Sequence, residues 1–260
     1  MLNRIYAIIL RYHYATIRSW DRLTDFIYWP FIDLALWGIT GAYIEVSSNG
    51  GIQVLDSLVC GIILWYSVYR TQGDLSIGIL EELWNKNLIN IFSSPISISE
   101  YRLGLLLYNF LKLIMATLMA SLIAYILFGF NFFKLGWIIA PFMGLLALFG
   151  WSLGIFVAGL LFRFSTKIQS LAWTIIWIFA PFSLVYFPRE ILPYWGQIVS
   201  LFIPTSYVFE EMRSVLHGNQ VIWNNLILCL ELNLVYLGIS GLFFKSSFKA
   251  ALNRGLVKIY

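Results

Sequence analysis

At 260 residues, 60% hydrophobic and 12% charged, with a mean hydropathy of +0.80, the chain lies well outside the composition of soluble globular domains. Membrane spans are expected to take up most of that length, which leaves no room for a separate soluble catalytic domain. The net charge of +4 reflects where the cations are placed along the chain, and so points to anionic lipid and away from nucleic acid.

The expected fold is all-α, a single polytopic transmembrane domain over residues 1–260. Residues 1–24 read as an amphipathic interfacial helix. At about 100° per residue, Arg4, Arg11, Arg18 and Arg22 fall within roughly 40° of one another. Ile5, Ile9, Tyr12, Ile17 and Trp20 lie on the other side. Such a helix lies along the inner leaflet before the chain turns in near Pro30.

Six stretches then approach the ~20 residues that span a hydrocarbon core: 25–46, 54–70, 104–130, 135–162, 168–187 and 222–244. With the amino terminus inside, thirteen of the 17 Lys and Arg fall on the inner side. Only Lys134, Arg189 and Arg213 fall outside, and Lys112 lies within a span. That bias predicts a multi-pass protein of the cytoplasmic membrane with both termini in the cytoplasm.

The loops differ in character. Outside, 47–53 is a turn-rich linker and 129–134 is short. Inside, 71–101 is long, polar and partly helical, with Gly78-Ile-Leu-Glu-Glu-Leu-Trp-Asn followed by Ser93-Ser-Pro-Ile-Ser-Ile-Ser-Glu100. Ser97 or Ser99 is placed to cap the third span, and Pro95 to stop the helix before it. The external loop 188–220 is broken by Pro188, Pro193 and Pro204 into two short helices, 194–202 and 207–216. Their apolar faces (Trp195, Ile198, Val199, Phe202; Val208, Phe209, Met212) are expected to lie on or dip into the outer leaflet.

Charges inside spans are expensive unless paired. Lys112 and Glu231 come within about 5 Å in depth when counted at ~1.5 Å per residue. A pair between them is therefore feasible, either structural or lining a passage, with the structural role preferred. Asp33, just beyond Pro30, is expected to face a cytoplasmic vestibule or to join the arginines of the first helix. Gly136, Ala140 and Gly144, and Gly150, Gly154 and Ala158, put two close-packing faces on the fourth span.

Enzymatic chemistry finds no support. His13 and His217 lie on opposite sides and build no metal cluster. No Ser/His/Asp arrangement is present, and the adjacent pairs Glu81-Glu82 and Glu210-Glu211 point apart on a helix. Cys60 and Cys229 read as small buried hydrophobes.

The order of these elements is similar to that of the ABC type-2 permease family, the membrane subunits of ATP-driven exporters. The resemblance covers essentially the whole chain. It is sharpest at Gly78-Ile-Leu-Glu-Glu-Leu…Ser94-Pro-Ile-Ser97, and again at Pro188…Leu192-Pro193…Ile203-Pro-Thr-Ser206…Met212-Arg213…Gly218. The family's usual wording has Pro in place of Thr205 or Ser206 and Thr after Gly78, departures that bear on subfamily. Phe187-Pro-Arg-Glu-Ile-Leu-Pro193 resembles a phrase of polysaccharide exporters, but there it follows the second span and here the fifth.

The resemblance implies a protein without enzymatic activity or cofactor of its own, ATP being bound by a partner ATPase subunit. The chain agrees, since it contains no Gly-Lys dipeptide and hence no phosphate-cradling loop. The 71–101 segment would couple to the ATPase through Glu81, Glu82, Trp84, Lys86, Asn87, Asn90 and Phe92, with a second contact at Arg163 and Lys167. The hairpin carrying Pro188, Arg189, Glu190, Pro193, Pro204 and Arg213 would close the exit as an external lid. A second permease completes the passage, two permeases with two ATPases, as a homodimer or a close heterodimer. The cargo would be amphipathic: a lipid-linked glycan, a hydrophobic drug or antibiotic, or a lipid. A secondary transporter would need coupling-ion groups near the midplane and commonly an inverted repeat, and the two halves show no similarity. A membrane-embedded transferase is the third reading.

Overall fold

The computed structural model describes residues 2–48 and 54–254, which form helices and no strand. Helix α1 (Leu2–Ile17) buries Ile5, Ile8, Tyr12 and Thr16, a stripe at helical spacing that packs on α5 (Ile98–Phe128). It ends before residue 24. Ser19 is extended, and α2 (Trp20–Ser47) starts directly after it. The chain therefore turns at Arg18–Ser19 and not near Pro30, which is buried inside an uninterrupted α2. A proline costs a helix one hydrogen bond, and packing against neighbouring helices tolerates that loss.

Helix α3 (Leu55–Trp84) is joined to α2 by a charged cap: Glu45 Oε1 accepts from the Val54 and Leu55 amides at 2.7 and 2.8 Å. The linker expected at 47–53 lies largely outside the described residues. At its other end α3 does not stop at Arg70 as expected but continues as one rod to Trp84. A left-handed Lys86 (φ 51°) reverses the chain into the short α4 (Leu88–Ser93). Ser97 then caps α5 in a reciprocal box with Glu100, the two hydrogen bonds measuring 3.2 and 2.9 Å.

A 3-10 stretch (Phe132–Ile138) leads to α6 (Ile139–Phe164), the central helix, flanked by α3 on one side and α10 (Trp223–Arg254) on the other. Gly150 and Gly154 allow the α3 approach. A Cβ at Gly150 would stand 2.0 Å from Thr71 Oγ1, and one at Gly154 would meet Leu75 and the Gln72 carbonyl at 3.0–3.1 Å. The second small face is therefore a helix-packing face. The first is not, because Gly144 has no neighbour within 4 Å of such a Cβ, and Gly136 sits at φ 66° before the helix begins.

The fifth expected span, 168–187, is not a single helix. After a 3-10 turn (Ser165–Ile168), α7 (Leu171–Phe179) covers nine residues, about 14 Å. Pro181 follows in another 3-10 turn, and the chain then runs irregularly through Ser183, Leu184 and Val185, all at most 1% exposed. Non-helical backbone at such depth needs protein around it, and α9 (Pro204–Leu216) supplies part of that cover. Among the described residues, three stretches are long and apolar enough to cross a membrane: Ser99–Phe128, Phe132–Ile168 and Trp223–Asn253. Helices α2 and α3 have the length, 28 and 30 residues, but carry more charge.

Between α7 and α10, α8 (Tyr194–Leu201) and α9 form the expected pair of short helices, with different environments. Trp195 and Phe202 are 60% and 63% exposed, whereas Val208, Phe209 and Met212 are fully buried. The face of α9 therefore docks into the bundle core and not into lipid.

Candidate functional site

Ionisable groups gather at both ends of the bundle. At the end where α1 meets α3, Glu82 is 3% exposed and fully engaged. Arg11 reaches it at 2.7 Å, the Tyr12 hydroxyl donates at 2.8 Å, and the Asn87 amide donates at 2.8 Å. Tyr101 of α5 hydrogen-bonds Tyr12 at 2.8 Å. Burial works against the Arg11 charge, yet Glu82 outweighs it and raises the Arg11 pKa. Burial, with Tyr101 and Glu82 beside it, holds the Tyr12 phenol well above its ordinary value. Glu82 is thus a clamp that ties α1 and the α3–α4 turn together.

The other residues expected to couple divide accordingly. Glu81 is half-buried and paired with Arg22 at 2.7 Å. Asn87 serves the Glu82 clamp and receives the Asn90 amide at 3.0 Å. Trp84 is 48% exposed, donates to Gln169 at 3.1 Å and stacks on Trp173. This brings the end of α3 beside the Arg163–Lys167 turn, so the two segments assigned to a partner form one surface. Lys86, Asn90, Arg163 and Lys167 are exposed on it, while the Phe92 side chain lies outside the described residues.

Deeper in the bundle the expected Lys112–Glu231 pair does not form. Glu231 points outward from α10, exposed, and Lys112 instead donates to Asp74 of α3 at 2.6 Å. Depth along two helices says nothing about azimuth, and Glu231 is on the wrong face. Asp74 also lies 3.7 Å from Arg70, one turn earlier, and Arg70 bonds Asp25 of α2. The result is a chain of alternating charge, Asp25–Arg70–Asp74–Lys112, across three helices, with the Arg70 guanidinium over the Phe26 ring at 4.3 Å. Reading the loop as starting at Thr71 hid it. The i,i+4 spacing of Arg70 and Asp74 was the available signal. Asp33 accepts from the Tyr66 hydroxyl at 2.7 Å, while Arg4, Arg11 and Arg22 pair with Glu100, Glu82 and Glu81.

At the opposite end, Arg189 pairs with Glu210 at 2.8 Å, and Arg213 donates to the Leu184 carbonyl at 2.7 Å. Leu184 has φ 62°, so Arg213 holds the irregular segment in a conformation a leucine rarely adopts. Burial lowers the Arg213 pKa to about 10 and raises that of Glu210 despite the nearby Arg189. Glu211, unassigned in the sequence reading, is 2% exposed and accepts from the Ile222 amide at 2.9 Å and the Asn225 amide at 2.6 Å, capping α10. Pro188, Glu190 and Pro193 are exposed; Pro204 is buried at the start of α9.

The profile of the ABC-2 family transporter protein matches residues 47–244. The chain belongs to the ABC-2 transporter family. The match runs from the end of α2 into α10 and includes the α3–α4 turn and the α8–α9 hairpin. As an ABC-2 family member the chain is a membrane-embedded transport subunit, in a family whose members normally pair with an ATPase subunit. No curated protein matches the chain.

Proposed function

We propose that this ABC-2 protein is the permease subunit of an ATP-driven exporter in the cytoplasmic membrane. It moves an amphipathic molecule, a lipid-linked glycan, hydrophobic drug or lipid, and works as two permeases with two ATPase subunits. The chain crosses the bilayer six times, through α2, α3, α5, α6, the broken α7 segment and α10, with both termini in the cytoplasm. ATP binds to the partner. The α8–α9 hairpin covers the exit.

What carries this reading is the surface at the end of α3. A continuous helix of 30 residues ends in a turn locked by Glu82 to α1, and it leaves Trp84, Lys86 and Asn90 outward beside Lys167. A rigid lever with a polar, aromatic tip is what a closing partner needs in order to move the bundle. Co-expression with an ATPase encoded beside it tests the assignment. Lys86→Glu combined with Asn90→Arg should weaken co-purification and cut stimulated ATP turnover while membrane insertion stays intact. Transport that continues without any ATPase would favour a secondary transporter.

A further inference from the structure

Asp33 stands at the midpoint of α2, about 20 Å from either end at ~1.5 Å per residue. Asp25 and Asp74 each have a basic partner, whereas among the described residues Asp33 takes only the Tyr66 hydroxyl. A carboxylate has about four acceptor sites, and Asp33 is only half-buried. A charge so far into a span is costly without a counter-charge, and such residues mark the pathways of ions and substrates.

Aromatic rings flank this carboxylate. Trp37, one turn further along α2, stacks on Tyr186 at 4.4 Å. Tyr66 meets Tyr69 edge-on at 5.9 Å, and Tyr69 lies 6.4 Å from Trp177 of α7. Tyr69 and Tyr186 are both close enough for the Asp33 charge to act on them. Toward the α3–α4 turn the same seam opens into a cleft of about 200 Å³, lined by Trp29 of α2, Tyr69 and Gly73 of α3, and Trp173 of α7. Trp29 precedes Asp33 by one helical turn, and Tyr69 follows Tyr66 by about one. Asp33 and Tyr66 therefore stand at the head of the cleft. Arg70, which also lines it, is already paired with Asp25 and Asp74.

We propose that this seam binds a lipophilic organic cation, with its charge against Asp33 and its apolar body on the rings of Tyr66, Tyr69 and Trp29. The carboxylate supplies the opposite charge, and the ring faces add cation–π attraction. An anionic headgroup would be repelled by Asp33, and a neutral glycan would leave the carboxylate without a counter-charge. Of the cargoes proposed above, the site selects the hydrophobic drug, in cationic form. Its assignment as cargo rests on the exporter reading; the binding itself needs no ATPase and is measured on the permease alone.

Equilibrium dialysis of the full-length, detergent-solubilised permease against tetraphenylphosphonium and tetraphenylborate tests it. The two probes share size and shape and differ in the sign of their charge. After subtraction of uptake by empty micelles, tetraphenylphosphonium should bind at least about tenfold more tightly. Asp33→Asn should weaken its binding by about tenfold, the scale of a lost charged contact. Gly73→Leu should weaken it by a similar factor, because the added side chain fills the cleft. A Cβ at Gly73 meets nothing within 4 Å, so this variant keeps the test open even where Asp33→Asn fails to fold. Glu231→Gln, whose parent carboxylate projects outward from α10, should leave binding unchanged. Equal affinity for the two probes, binding that survives either substitution at the seam, or a comparable loss in Glu231→Gln would overturn the proposal. Asp33-dependent binding without ATP-driven transport of the probe by the permease–ATPase complex would count against the exporter reading instead.

Discussion

Lys112 illustrates what single residues decide in this protein. Its ammonium is nearly buried, at 13% side-chain exposure, against an Asp74 carboxylate at 11%. Removing one partner of such a pair costs about 3–5 kcal/mol, because the other charge is left stranded. Asp74→Asn should therefore lower the melting temperature sharply in detergent, and adding Lys112→Met should recover part of the loss. Lys112→Met and Glu231→Gln should instead behave additively, the latter alone shifting stability by no more than about 0.5 kcal/mol. A measured coupling between residues 112 and 231 would contradict the outward placement of Glu231. Glu82 makes a different prediction. Glu82→Gln gives up its ionic contact with Arg11 and should loosen α1, read as faster hydrogen exchange across Leu2–Ile17 with little change in α10.

Two elements owe their positions to small contacts that are easily tested. Helices α3 and α6 meet at Gly150, where even one added carbon would collide with Thr71 and the Val68 carbonyl. Gly150→Ala should thus cost about 2 kcal/mol or more through overpacking. Gly144→Ala, with nothing nearby, should be neutral or gain up to about 1 kcal/mol from helix propensity. Comparable losses at the two glycines would refute the distinction between a packing face and an open one. Helix α10 depends on Glu211, whose carboxylate takes the Ile222 amide and Asn225. Glu211→Ala should cost about 1–2 kcal/mol as a lost cap, and the effect should appear as increased exchange in the first turns of α10.

For the whole molecule, orientation governs every functional assignment. The Glu82 clamp and the Arg189–Glu210 pair sit at opposite ends of the bundle, and in the proposed orientation the first faces the cytoplasm and the second the outside. In a background lacking the buried Cys60 and Cys229, a cysteine at exposed Asn219 should react with an impermeant maleimide on intact cells. One at exposed Asn85 should react only after permeabilisation. The reverse pattern would exchange the roles of the α3 turn and the α8–α9 hairpin.

Much of this was legible in the amino-acid order. Apolar run length and cation bias, both one-dimensional quantities, were enough to read an all-helical membrane protein; the Ser97 cap and the paired short helices at 194–202 and 207–216 follow from local chemistry. The family resemblance needed only motif order. Tertiary packing decided the rest. It extended α3 through Thr71 to Trp84, because Asp74 and Glu82 found buried partners that a hydropathy reading cannot supply. It cut the fifth span to nine helical residues, since the chain after Pro181 is covered by α9 and held by Arg213. It turned Glu231 outward and Lys112 toward Asp74, because spacing along the chain gives a residue's depth, while the rotation of each helix about its axis is set by the neighbours it packs against.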